Sequence, residues 1–292
     1  MGSEMCIRDS PQTSAGEPVA SVFVTSDGRD LQQLISTFLR VAIAYSQSAD
    51  DYLDDDTEGK GLLSDHSAPE DGKPYTALEH AWDEGFGYTG MTRRYADWTQ
   101  TQRLDGLADD NGDGRIDLLS EQAFHLARLA PERDDGSATG TDYTGDLYDA
   151  FFAGRTLLAS LPGPLSPGDL EDLRQHRDDA LTAWERLLAA EVIHNLNLTL
   201  ADLDALGTPD HVFEEQAQHW SQMKGFALGF QFSRHSALND AQFLELHSLI
   251  GQQPVIDATD AAAVRTYRDD LLDARALLAF AFAFDAADVE AW

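Results

Sequence analysis

Pro74-Tyr-Thr-Ala-Leu-Glu-His-Ala-Trp-Asp-Glu-Gly-Phe-Gly-Tyr-Thr-Gly90 carries the start and the stop of a helix within seventeen residues. Thr76 and Glu79 have the spacing of a capping box, in which hydroxyl and carboxylate satisfy each other's free backbone donors, and Gly85 and Gly87 fall where such a helix ends. The stretch also holds Glu79, His80, Asp83 and Glu84. Residues three and four apart share a helix face, so His80 meets Asp83 and Glu84, while Glu79 meets Asp83. This is ligand spacing for a metal ion, placed near a helix end and a loop.

Outward from this stretch the pattern stays helical. Leu31, Leu34, Ile35, Phe38, Leu39, Val41, Ala42 and Tyr45 recur mostly at three- and four-residue intervals, predicting a helix from Asp30 that fades near Tyr52. An acidic loop from Asp50 to Pro74 follows. Further helices are predicted over Arg94 to Leu104, Leu118 to Leu129, Asp146 to Leu161 and, as one long element, Asp169 to Leu203. Others cover Pro209 to Phe232, Ala241 to Ile250 and Ala261 to Phe284. Pro131, Pro162-Gly-Pro164 and Gly207-Thr-Pro209 supply the breaks. Period-two strands are nearly absent, so the expected fold is an all-α multi-helix bundle, a single domain over 30–292.

The chain has 292 residues, 52 acidic against 20 basic, for a net charge of −32. Such a surface argues against nucleic acid, whose phosphates require Lys and Arg patches. Only Lys60, Lys73 and Lys224 represent lysine, and an Asp-rich, Lys-poor surface is of the kind that stays soluble in high salt. No apolar run reaches the roughly twenty residues of a membrane span. At the N-terminus, Glu4-Met-Cys-Ile-Arg-Asp-Ser10 resembles translated sequencing-adapter DNA, so residues 1–10, with the lone Cys6, are set aside as non-native. Residues 1–29 are expected to be an adapter-derived and disordered remnant, the chain being N-terminally truncated.

Three other places carry candidate chemistry. Asp109, Asn111, Asp113, Arg115 and Asp117 occupy positions 1, 3, 5, 7 and 9 of an EF-hand-like calcium loop, with Gly114 at the turn position and Ile116 at the packing position. Ser120 stands at position 12 where a bidentate acid belongs, and Glu121, one residue on, is the available substitute. On the long helix, Glu191-Val-Ile-His194 puts both side chains on one face, as di-metal bundles require. In His219-Trp-Ser-Gln-Met-Lys-Gly-Phe-Ala-Leu-Gly-Phe230 the small glycines imply close helix packing. There His219 is a further candidate ligand, and Lys224 is expected to neutralise carboxylates such as Asp83 or Glu84. No Gly-x-Ser-x-Gly elbow, P-loop, dinucleotide fingerprint or His-Glu-x-x-His motif is present.

The Thr76 to Gly90 block resembles the Thr-Ala-Met-Glu-His-His-Trp-Asp-Glu-Ala-Phe-Gly-Tyr block of an uncharacterised bacterial family, the domain-of-unknown-function family numbered forty-eight fifty-six. Phe151-Phe-Ala-Gly-Arg155, Trp184-Glu to His194, His219 to Phe226, Leu246-His247 and Ala274-Arg-Ala-Leu-Leu278 are similar to it in the same order. Ala81 stands where the family often has His, and His66 is not taken as a replacement for its second motif histidine. The resemblance implies an exported protein, periplasmic or anchored at the outer membrane as a lipoprotein, whose signal and anchor lie upstream. It also implies a distant likeness to imelysin-like helical bundles of iron uptake, which carry a His-x-x-Glu motif. Here His80 and Asp83 give His-x-x-Asp, with Glu84 next.

Together these readings lead to a non-catalytic, exported envelope protein that binds metal or assists its uptake. Calcium is expected at the loop and iron or zinc at Glu79, His80, Asp83 and Glu84, with imelysin-like or other metal-uptake envelope proteins as partners. The competing expectations are a structural scaffold without a transition-metal site, and a metal-dependent hydrolase with Glu84 as general base.

Overall fold

The computed structural model describes Val19 and residues 21–292. The adapter-like segment and Cys6 lie outside the described residues. The fold is all-α: α1 (Leu31–Ser46), α2 (Ala77–Gly87), α3 (Gln100–Asp105), α4 (Leu126–Asp135), α5 (Tyr143–Ser160), α6 (Pro167–Ala205), α7 (Phe213–Ala227), α8 (Asp240–Ile250), α9 (Ala261–Ala281) and α10 (Ala286–Ala291). Among the described residues extended pairing is limited to two isolated bridges, Val24 with Asp30 and Leu107 with Gln122. Among the described residues no helix is long and apolar enough to cross a membrane.

The axis of the bundle is α6, whose 39 residues span about 58 Å at 1.5 Å per residue. It starts where its sequence says it should: Ser166 and Asp169 form a capping box and Pro167 occupies the first turn. From Leu187 to Ile193 every residue is buried, including the charged Glu191. A helix enclosed on all sides must be surrounded by others, and α4, α5, α7, α9 and α10 pack around it. Helix α7 at Gly225, and the 3-10 turn Leu228–Phe232 that follows it at Gly229, lie against α1, where an added Cβ would meet Thr37 Oγ1 at 1.9 Å and Val41 Cγ1 at 2.1 Å. Close packing there is therefore a consequence of missing side chains.

Several expected boundaries move. Residues 21–29 form a loop, but a packed one: Val24 is buried and bridges to Asp30, so this part of the expected remnant is ordered against the bundle. The helix expected over Arg94 to Leu104 is split. A short turn at Tyr95–Asp97 comes first, and α3 begins afresh at the Thr99–Gln102 capping box. The helix expected over Leu118 to Leu129 starts instead at Leu126 and runs through Pro131. Proline lacks the N–H that would bond the carbonyl four residues back, that of Ala127. The buried Tyr95 hydroxyl donates to the Ala127 carbonyl, replacing the missing donor from another part of the chain. A separate α10 follows α9, and Trp292 buries itself against Phe284 and Tyr143.

Candidate functional site

The opening stretch becomes α2, with its capping box intact: Glu79 N–H donates to Thr76 Oγ1 at 3.2 Å and Thr76 N–H to Glu79 Oε2 at 2.9 Å. The partners of this helix come from α5. Arg155 donates to Glu79 Oε1 at 2.7 Å and to Asp83 Oδ1 at 2.9 Å. Trp82, on the buried side, donates from Nε1 to the Phe151 carbonyl at 2.9 Å and meets the Phe151 ring edge-on. Its six-membered ring lies against Gly154, where an added Cβ would fall 2.0 Å from Trp82 Cζ2. The two sequence blocks Thr76 to Gly90 and Phe151 to Arg155 are thus two halves of one helix–helix joint.

His66 closes that joint from the acidic loop. Its Nε2 is 3.2 Å from the Leu158 carbonyl and its Nδ1 is 2.8 Å from Thr76 Oγ1. A carbonyl only accepts, so Nε2 carries the proton and Nδ1 accepts from the Thr76 hydroxyl. Sequence reasoning left His66 without a role, because its partner Leu158 is 92 positions away.

In this setting the expected ligands have other work. Burial pushes the Glu79 carboxyl up, but the Thr76 N–H and Arg155 outweigh it and hold the group below its ordinary range. Burial raises Asp83 above its ordinary value, with Arg155 opposing. His80 stacks on Tyr75 and lies 3.8 Å from Glu84, both side chains nearly half exposed. Among the described residues no three His, Cys, Asp or Glu side chains converge closely enough to hold a metal ion as they are placed.

Glu191 and His194 sit on α6, separate from the α2 joint. Glu191 Oε1 lies 2.9 Å from Arg133 Nε of α4, and both side chains are buried. Burial raises the Glu191 carboxyl to about 7 against the pull of Arg133. Burial, then Arg133 and His219, lower His194 to about 4. A guanidinium beside the carboxylate repels a cation, so Glu-x-x-His is here an ion pair and a neutral imidazole. His219 pairs instead with Asp202 at 2.9 Å. Lys224, expected to neutralise Asp83 or Glu84, meets neither. Its Nζ donates to the Gly251 carbonyl and to His247 Nδ1, each at 2.9 Å, joining α7 to α8. Burial lowers Lys224 to about 8, and burial with Lys224 nearby lowers His247 to about 4.

These shifts fix a pH dependence. His194 and His247 bind fewer protons folded than unfolded between about pH 4 and 6.5, so each loses stability as pH falls through that window; Glu191, raised, does the reverse between 4.5 and 7. Two histidines outweigh one acid. The protein is expected to lose stability from these groups on going from pH 6.5 to 4.5, and His247→Gln is expected to flatten the profile. Denaturation midpoints across that range check it, and a variant profile parallel to wild type would count against the assignment.

The calcium-like loop lies between α3 and α4. Asp109 accepts from the N–H groups of Asp113 and Gly114 at 3.1 and 2.8 Å, and Asn111 accepts from Asp113 N–H at 2.9 Å. Gly112 and Gly114 take φ of +72° and +77°, which only glycine adopts freely. Glu121 is buried; its Oε1 accepts from Asp110 and Asn111 N–H and its Oε2 from Asp117 N–H. It therefore closes the loop by gripping both arms. Each carboxylate has about four lone-pair sites, so those of Asp109 and Asp113 retain capacity for a cation. The donor types are all oxygen, the kind a hard cation takes, but Asp109, Asp113 and Asp117 do not converge on one point as placed, and Asp117 accepts from Leu119 N–H and Ser120 Oγ, so a cation would have to draw Asp109, Asn111, Asp113, the Arg115 carbonyl and Asp117 together.

The geometry defines an all-α bundle domain whose signature residues form a structural joint. Residues 12–161 match the family described as a domain of unknown function (DUF4856), and the chain belongs to it. The matched span ends just past α5, so both halves of the joint fall within it. No curated protein and no solved structure matches the chain.

Proposed function

We propose that this chain is a non-catalytic helical scaffold of the cell envelope that carries one calcium loop, between α3 and α4. The observation that carries the reading is the loop path: Asp109 receives the Gly114 N–H, two glycines take left-handed turns, and Glu121 clamps the arms from within. The non-catalytic part is supported by the engagement of Glu79 and Asp83 with Arg155. Export, lipid anchoring and imelysin-like partners are supported by the family resemblance. Iron or zinc at α2 is the weaker reading, because only His80 and Glu84 remain outside the Arg155 network.

Calcium is expected to raise the melting temperature of the wild-type protein, with little or no rise in Asp113→Ala. Thermal melts with calcium and with a chelator test this. Equal shifts in the two proteins would remove the loop as the binding site.

A further inference from the structure

A cavity of about 160 Å³ opens between α1, α4, α6 and α7. Arg40, Arg133, Glu191, His194, Asn195 and Gln222 are among its walls. Arg133, Glu191 and Asn195 are each more than nine-tenths buried. The 2.9 Å contact between Arg133 Nε and Glu191 Oε1 is poorly angled, leaving both atoms without a hydrogen bond. His194 Nδ1 and Asn195 Oδ1 are likewise buried without a hydrogen-bond partner. Buried polar groups are ordinarily satisfied, so four such atoms around one cavity mark a surface built for a polar occupant.

The charge of that occupant follows from the walls. Arg40 is half-buried and, among the described residues, joins no ion pair with a carboxylate, while Arg133 faces the same space. Glu191 is the buried acid of the cavity, and its charge is offset by Arg133 at 2.9 Å, which leaves Arg40 as the uncompensated guanidinium; Glu132 lies exposed at the rim. Two guanidinium groups thus face one small space in a chain of net charge −32. Guanidinium offers paired N–H donors that match the oxygens of a carboxylate or phosphate.

We propose that this cavity binds a small oxyanion, a carboxylate or a phosphate, held by the guanidinium groups of Arg40 and Arg133, with Gln222 Nε2 and the Nδ1–H tautomer of His194 as further donors. The volume equals that of about five water molecules at ~30 Å³ each, which suits inorganic phosphate or a short-chain acid and excludes a nucleotide. A metal ion is disfavoured by the guanidinium groups. This site is independent of the calcium loop.

The test is isothermal titration calorimetry of the full chain with sodium phosphate and with sodium acetate. Ionic strength is held constant with sodium chloride, and chelator is present to keep calcium out. Saturable binding of at least one anion is expected, weakened at least tenfold in Arg40→Gln, whose circular dichroism and melting should match wild type. Asn195→Asp, which places a second acid in the cavity, is expected to abolish binding. Phosphate binding alone assigns inorganic phosphate, and acetate binding alone assigns a carboxylate. No saturable heat with either anion in the wild type, or equal affinity in Arg40→Gln, would overturn the proposal.

Discussion

Alanine at Gly154 is expected to lower the unfolding free energy by about 3 kcal/mol, the upper end of what overpacking costs. The new Cβ would lie 2.0, 2.5 and 2.7 Å from three atoms of the Trp82 ring. That ring cannot turn aside, because it is 1% exposed, bonded through Nε1 to the Phe151 carbonyl and set against the Phe151 ring. The clash is relieved by moving α5 off α2, which also lengthens the Arg155 contacts to Glu79 and Asp83. Urea denaturation followed by circular dichroism measures the loss. Adding Trp82→Phe removes the ring that is struck, so the double variant should be more stable than Gly154→Ala alone. A single variant within about 0.5 kcal/mol of wild type, the range of an ordinary surface change, would show that the joint is not tightly packed.

Arg133→Leu is expected to cost about 3–5 kcal/mol at pH 8, the penalty for leaving one partner of a buried ion pair unpaired. Glu191 would then be an ionised carboxylate in the middle of α6. Its pKa is already about 7 with Arg133 in place, and removing the guanidinium raises it further. At pH 6 the carboxyl therefore holds a proton and the loss is expected to shrink. Arg133→Leu with Glu191→Leu should recover most of the stability, since apolar replacements of both partners remove the buried charge altogether. Denaturation at the two pH values tests both parts. A loss independent of pH, or a double variant as unstable as the single one, would contradict the pairing.

What the sequence made legible was whatever local chemistry encodes. Hydrophobic spacing and the Thr76–Glu79 capping box located α2 closely, spacing placed the start of α6 at Asp169, two residues inside Pro167, and the glycines of the His219 to Phe230 stretch announced its close approach to a neighbour. The start of α4 was not legible because its N-cap, His125, makes no side-chain bond to the helix. Pro131 looked like a break because the hydroxyl that replaces its missing donor belongs to Tyr95. The partners of the candidate ligands were hidden for the same physical reason. Helical spacing shows which side chains share a face, but not what faces them. Glu79 and Asp83 face Arg155, Glu191 faces Arg133, and Lys224 faces His247. Each partner lies on another helix, brought in by packing that no local pattern records. The path of the Asp109 to Glu121 loop was more readable, since its turns are set by its own glycines and carboxylates.

The proposed function puts metal at the Asp109 to Glu121 loop and leaves the Glu79 to Glu84 cluster as a structural joint with Arg155. Its most direct test is elemental analysis of purified protein after exchange against a mixture of calcium, zinc and ferrous iron. Calcium is expected to be retained in wild type and in His80→Ala but lost in Asp113→Ala, with no transition metal held. Zinc or iron retained by the wild type and lost in His80→Ala would contradict it.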